Sequence, residues 1–301
     1  MKRLLVALVA TLLLGIAPAT PPAWAYLIND WEPLGKERNA ASEVQTVKPG
    51  SHWRDPVSQA NLLWIPGGCF DMGSPPRASD RETDEGPMGQ RCVNDFWLGE
   101  TEVTQGQWRR VMHNNPAKFR KGDGFPVETV SWEDVSDFLD TLNARAASNI
   151  RFRLPTEAEW EFACRQRGGR TVFPGATHPG RIAWHAANSN GSTREAGTRV
   201  ANRLGLRDMS GNVREWTQDR YLPTLGDAAG DGREKRDDRE IFHAVRGGGW
   251  KDTPAVLRCA NRGFESSTSR QDDLGLRLAA SPRGTEKKTK PRPADLKTLP
   301  F

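Results

Sequence analysis

Phe152-Arg153-Leu154-Pro155-Thr156-Glu157-Ala158-Glu159-Trp160-Glu161 is the stretch on which the reading of this chain turns. Thr156 and Glu159 have the spacing of a capping box. There a hydroxyl and a carboxylate each satisfy a backbone N–H that the first helical turn leaves open. The spacing predicts a helix from here through Arg165. Trp160 and Cys164 then fall on one face of it, so Cys164 should point inward.

Two more helices precede it. Ser131 is placed to cap a longer one, in which Trp132, Val135, Leu139, Leu142 and Ala146 recur at helical spacing and form one apolar face. Thr104 opens a shorter one over Gln105–His113. Further upstream, Leu62-Leu63-Trp64-Ile65 is a short apolar strand ended by Pro66-Gly67-Gly68, and Cys69–Ser74 alternates as a second strand. Pro75 to Gly89 is charged and rich in glycine and proline, which predicts a surface loop. Arg91–Leu98 is expected as one further strand. Residues 26–60 lack a period and are expected to form a linker or arm. Downstream of Arg165 the chain is loop-rich, with a charged insertion over Asp227–Glu240. Eleven tryptophans against two tyrosines supply large rings to anchor a fold with little regular structure.

The first residues have the three parts of a secretory signal: Met1-Lys2-Arg3, an apolar run from Leu4 to Ile16, and Ala23-Trp24-Ala25. The run is shorter than the roughly 20 residues a spanning helix needs. Cleavage after Ala25 is expected, with a periplasmic or secreted product. The basic balance of the whole chain, +5, is misleading. Lys2 and Arg3 leave with the signal. The tail over 282–301, which is Lys/Pro-rich and expected to be disordered, carries six basic and two acidic residues. The body over 26–281 is therefore near −1. A body without a basic footprint argues against nucleic-acid binding, while the tail is suited to contact acidic surfaces.

Four cysteines, Cys69, Cys92, Cys164 and Cys259, suggest two disulfides in an exported protein. Three pairings are possible. Cys69 and Cys92 flank one loop, which pairs them and leaves Cys164 with Cys259. Each bridge should stabilise the fold by roughly 3–5 kcal/mol in the chain-entropy description. A zinc-type site is disfavoured, because no two cysteines have metal-ligand spacing and the five histidines are scattered.

Several segments also resemble, in order, the motifs of one family. They are Trp64-Ile65-Pro66-Gly67-Gly68 with Met72-Gly73-Ser74, Glu102-Val103-Thr104 through Trp108, and Pro126-Val127 through Ser131-Trp132. The opening stretch follows, then Leu204-Gly205-Leu206-Arg207-Asp208-Met209-Ser210-Gly211-Asn212-Val213-Arg214-Glu215-Trp216, Arg246-Gly247-Gly248-Gly249-Trp250, and Leu274-Gly275-Leu276-Arg277-Leu278. The set covers about residues 60–280 and resembles the sulfatase-modifying factor (formylglycine-generating enzyme, FGE) family. The resemblance implies an α+β, C-type-lectin-like FGE fold over residues 61–281 with little regular secondary structure. It also implies a disulfide between the segments holding Cys164 and Cys259. It further implies a calcium site in the Gly211-Asn212 loop, with side-chain oxygens from Asp208 and Glu215 and carbonyls from Gly211 and Val213. The competing reading has Asp208 capping a turn and Glu215 paired with an arginine.

The family's oxidases use two copper-binding cysteines placed after the Gly-Gly strand, since thiolates suit Cu(I). At the matching positions this chain has Asp252 and, in a shortened stretch, Leu257. Gly249 replaces the family's serine, and Arg214 replaces its active-site tryptophan. The resemblance therefore predicts a chain without copper and without formylglycine-generating oxidase chemistry. It also excludes the iron-dependent sulfoxide synthase branch, whose His-rich domain is absent here, and leaves open a periplasmic branch that matures siderophores. Two functions follow. One is a binding or accessory module in the envelope, whose groove near Arg214, Gly249, Trp250, Asp252 and Arg262 holds a protein or peptide segment. The other is protein or peptide modification, with Asp252 and Arg214 as candidate catalytic groups, Asp252 aided by Glu265 or Arg214.

Overall fold

The computed structural model describes residues 51–147, 149–226 and 241–283. The expected signal segment, most of the arm, the charged insertion and nearly all of the tail lie outside them. Among the described residues, eleven short strands and three α-helices, besides short 3-10 turns, make up the regular structure: β1 (His52–Arg54), β2 (Asn61–Ile65), β3 (Gly68–Met72), β4 (Gly89–Val93), β5 (Phe96–Gly99), α1 (Gln105–Met112), α2 (Trp132–Arg145), β6 (Ile150–Arg153), α3 (Glu157–Cys164), β7 (Arg214–Arg220), β8 (Phe242–Arg246), β9 (Gly263–Ser266), β10 (Leu274–Leu276) and β11 (Ala279–Pro282).

One sheet has the order β1-β2-β5-β11-β6 and a second β10-β7-β8-β9; β3 and β4 form a separate ribbon. The five-stranded sheet explains the unbroken apolar run Leu62–Ile65. Successive side chains on a strand point to opposite faces, and both faces here are covered. Leu62, Trp64, Trp97 and Ala280 join a core packed by α1 and α2. Leu63, Ile65, Phe96, Leu98 and Ala279 join a second core with Trp160, Phe162 and Cys164 of α3.

All three helices begin where their caps predict. Thr104, Ser131 and Thr156 each form a reciprocal capping box, with Gln107, Asp134 and Glu159. The inward line of α2 runs through Val135, Phe138 and Leu142, while Trp132, Leu139 and Ala146 flank it, half-buried. Both disulfides form as paired by the loop argument, Cys69 with Cys92 and Cys164 with Cys259. Cys69 and Cys92 stand directly opposite each other in the β3–β4 ribbon.

Three expectations need correction. Arg91–Leu98 is two strands: the chain leaves the ribbon at Asn94-Asp95, where the Asp95 carboxylate accepts the Gly67 N–H (2.7 Å), and enters the large sheet as β5. The segment between Pro75 and Gly89 is not simply a surface loop. Asp84 and Glu85 are buried, and the Arg258 guanidinium grips the Glu85 carboxylate with two bonds (2.9 and 2.7 Å). The end of the supposed arm belongs to the domain, because β1 pairs with β2 through a turn in which Asp55 accepts the Ser58 N–H (2.6 Å).

Candidate functional site

A cleft of about 230 Å³ opens where β7 starts, β8 ends and β9 starts, and Arg214, Lys251, Asp252, Arg262 and Asp273 contribute to its lining together with Glu82 from the loop between β3 and β4. Its floor turns at Gly247 and Gly248, both at positive φ. A Cβ on Gly248 would sit 2.6 Å from the Leu257 side chain, so only glycine fits there. The volume is below the usual ~300–1,000 Å³ of small-molecule pockets. A second hollow of similar size lies against α1 and α2, lined by Trp108, Met112, Asp134 and Arg270 among others. It holds none of the predicted site residues, so volume alone does not choose between the two.

The charged groups at the cleft are already engaged with one another. Arg214 binds Asp273 with two bonds (both 3.1 Å) and reaches Glu265 at 2.7 Å. Burial works against the Arg214 cation, but Asp273 and Glu265 together hold it above its ordinary range. Lys251 pairs with Asp273 (3.0 Å) and Asp272 (3.3 Å). Asp252 is half-buried and closes a turn, its Oδ2 accepting the Gly249 N–H at 2.8 Å.

Of the five residues expected to form a groove, the structure brings Arg214, Asp252 and Arg262 together and leaves Gly249 and Trp250 off the lining. Trp250 turns away. Its Nε1 donates to the Asp272 carbonyl (3.0 Å) and its ring meets Phe119 edge-on. Arg262 borders the cleft, but its guanidinium faces inward, doubly bonded to Glu157 (2.7 and 2.9 Å) and donating to the Asp84 and Leu222 carbonyls. It is a structural cation. At the second cysteine position Leu257 is fully buried with Phe173, Ile182 and Ala183. All four cysteines are in disulfides.

Behind the cleft lies a row of buried ion pairs. Glu161 contacts both Arg165 (2.8 Å) and Arg246 and also accepts the Gly73 N–H (2.9 Å). With Arg262–Glu157 and Arg258–Glu85, this row ties the loop after β3 to α3 and β8.

The Gly211-Asn212 loop is built differently. Glu215 is bound by Arg277 (2.7 Å) and by Trp160 Nε1 (2.7 Å), which realises the competing reading for this residue. Asp208 accepts the Gly197 N–H at 2.5 Å, but its second oxygen is buried without a partner. Sequence reasoning missed Glu102, which it had placed only at a helix start. Glu102 is fully buried, and neither of its oxygens has a hydrogen-bond partner among the described residues. Burial, then the charge of Asp208, pushes the Glu102 carboxyl well above the ordinary range. Burial likewise pushes Asp208 up to about 6. Three buried carboxyls against one guanidinium leave three oxygens unpartnered. Oxygens are the donors a calcium ion takes, but Glu215 is committed to Arg277, and among the described residues no group of three or more acidic, histidine or cysteine side chains is gathered closely enough to hold a metal ion.

An α+β chain with two disulfides, a Gly-Gly cleft of this kind and this acidic loop has the architecture of the formylglycine-generating enzyme class of domains. The chain belongs to the sulfatase-modifying factor enzyme 1-like (FGE-sulfatase) domain family, which it matches over residues 49–282. It is 27% identical over 271 residues to the chaperone protein LppX of Paenibacillus barcinonensis, covering 73% of this chain and 89% of that one. It is 31% identical over 289 residues to the inactive Cα-formylglycine-generating enzyme 2 of Mus musculus, covering 76% and 87%. Among solved structures, PvdO from Pseudomonas aeruginosa aligns with a TM-score of 0.68 at 26% identity, covering 78% of this chain and 99% of that one.

Proposed function

We propose that this chain is an exported FGE-like accessory module that holds a protein or peptide segment in the cell envelope, without copper-dependent formylglycine chemistry. The observation that carries this reading is the state of the cleft. Asp252 and the buried Leu257 stand where two thiols would grip Cu(I), and every cysteine is already oxidised. Arg214 and Lys251 are held by carboxylates. Likeness to a chaperone and to an inactive FGE relative supports the same direction. The two disulfides are consistent with an oxidising compartment, and no helix among the described residues is long and apolar enough to cross a membrane.

The other reading is a modifying enzyme for a formylglycine-type or siderophore-maturation-type substrate. It asks Asp252 or Arg214 to move a proton. Asp252 closes the Gly249 turn and Arg214 is held by two carboxylates, so the geometry favours binding. A photo-crosslinking residue at position 252, in the exported full-length protein, tests the choice. Discrete adducts with an envelope protein, lost on Arg214→Glu, are expected. Absence of any adduct, or chemical alteration of a captured peptide, would sink the binding reading.

The acidic loop belongs to the same proposal as a structural calcium site, with Asp208, Glu215 and the Gly211 and Val213 carbonyls as the implied ligands and buried Glu102 as a further candidate. Bound calcium would offset the excess of buried negative charge. Metal analysis of the purified protein is expected to find calcium that Asp208→Asn removes. Equal metal content in parent and variant would contradict the site.

A further inference from the structure

The five buried arginines, Arg165, Arg246, Arg258, Arg262 and Arg277, each contact a glutamate carboxylate. Half-buried Arg199 breaks that rule. Its Nε is sealed from solvent with no hydrogen-bond partner, and no carboxylate lies within ion-pair distance among the described residues. Instead the guanidinium sits over the Trp184 ring, 3.6 Å from its centroid. Asp208 acts on Arg199 as a nearby negative charge, but no hydrogen bond or ion pair joins the two.

Arg194 is a second cation against the same ring, 5.3 Å from the centroid. Its Nε donates to the Ser189 carbonyl (2.8 Å), and its two terminal nitrogens have no partner among the described residues. The arrangement is held from beneath. Buried Asn212 binds the Trp184 carbonyl through its N–H (2.8 Å). Its side chain accepts the Arg194 N–H (2.9 Å) and donates to the Arg194 carbonyl (3.2 Å). Trp184 Nε1 is fixed by Thr198 (3.0 Å). Two guanidiniums against one indole, with no carboxylate in contact, leave N–H donors available to an anion. A guanidinium fork stacked on an aromatic face is suited to pair with two oxygens of one group. Two such forks match the charge of about −1.5 to −2 on a phosphate monoester better than the single charge of a carboxylate.

We propose that Arg199 and Arg194, positioned on Trp184, form a phosphate-binding site separate from the cleft. Titration of the full-length exported protein with inorganic phosphate at fixed ionic strength tests it. Saturable binding is expected, weakened at least tenfold by Arg199→Gln and nearly as much by Arg199→Lys, which keeps the charge and loses the fork. Arg194→Gln should weaken binding as well, and it serves as the second variant if Arg199→Gln fails to fold. A parallel arm compares vesicles containing phosphatidic acid, whose headgroup is a phosphate monoester, with phosphatidylcholine vesicles. Retention by the former that is lost in Arg199→Gln assigns the phosphate to a lipid headgroup; response to inorganic phosphate alone assigns it to a small or soluble phosphate. Equal binding by parent and variants in both arms, or no binding by the parent in either, overturns the site.

Discussion

Two buried charge clusters lie on either side of Trp160, and they are built on opposite principles. Behind the cleft, Glu85, Glu157 and Glu161 are each bound by arginine, and Arg246 also draws on the Ala260 and Asn261 carbonyls. Around the Gly211-Asn212 loop, Glu102, Asp208 and Glu215 have Arg277 as their one contacting arginine among the described residues, with Arg199 acting on Asp208 from further off. The first cluster is electrically closed and acts as a staple. The second is short of positive charge and has oxygens to offer. The contrast separates buried acids matched by a contacting arginine from buried acids left without one.

Breaking the closed cluster should give the largest effect. Glu161→Ala strands two buried guanidiniums and is expected to cost about 3–5 kcal/mol, measured by denaturant unfolding. A loss under 1 kcal/mol would show that the staple is not closed. Calcium gives the next effect, and it should act on the open cluster only. At a hundredfold excess over Kd it should stabilise the parent by about 2.7 kcal/mol. Asp208→Asn and Glu102→Gln should abolish that gain, while a destabilised staple variant such as Glu157→Gln should keep it.

A smaller effect is one of pH. Burial pushes Asp219, which accepts the Glu157 N–H, up to about 6, against 3.8 when unfolded. An acid with a raised native pKa contributes stability below about 3.8 that is lost as pH rises through about 6. Asp219→Asn should therefore remove a fall in stability between pH 4 and 6, seen as a flattened difference curve against the parent. The smallest effect belongs to a pair in neither cluster. Arg270→Ala breaks a solvated bridge to Asp134 and should cost less than about 1 kcal/mol.

What could be read in advance follows from the range of the interactions. The starts of α1, α2 and α3 depend on residues three apart, and Thr104, Ser131 and Thr156 announced them. The inward position of Cys164 followed from helical spacing. The existence of β2 was legible as an unbroken apolar run, whereas its burial on both faces came only with the two cores packed against it. By contrast, the break between β4 and β5 depends on Gly67 meeting Asp95, and the burial of Glu85 depends on Arg258, far along the chain. Polar composition between Pro75 and Gly89 gave no sign of that partner. Arg262 was read as a groove residue from the family resemblance, whereas its charge is committed to Glu157 on α3. Glu102 escaped notice because its place in a helix-start motif said nothing about Asp208. The replacement of the family's cysteines by Asp252 and Leu257 needed no structure to see.

The central claim is that this member of the family has no pair of thiols with which to carry out copper oxidation. Mass spectrometry of a cysteine-containing sulfatase-type peptide, incubated with the purified protein with both disulfides formed, Cu(I) and oxygen, tests it directly. The account predicts that the peptide keeps its cysteine mass. A product with that cysteine converted to formylglycine, dependent on the protein, would contradict it.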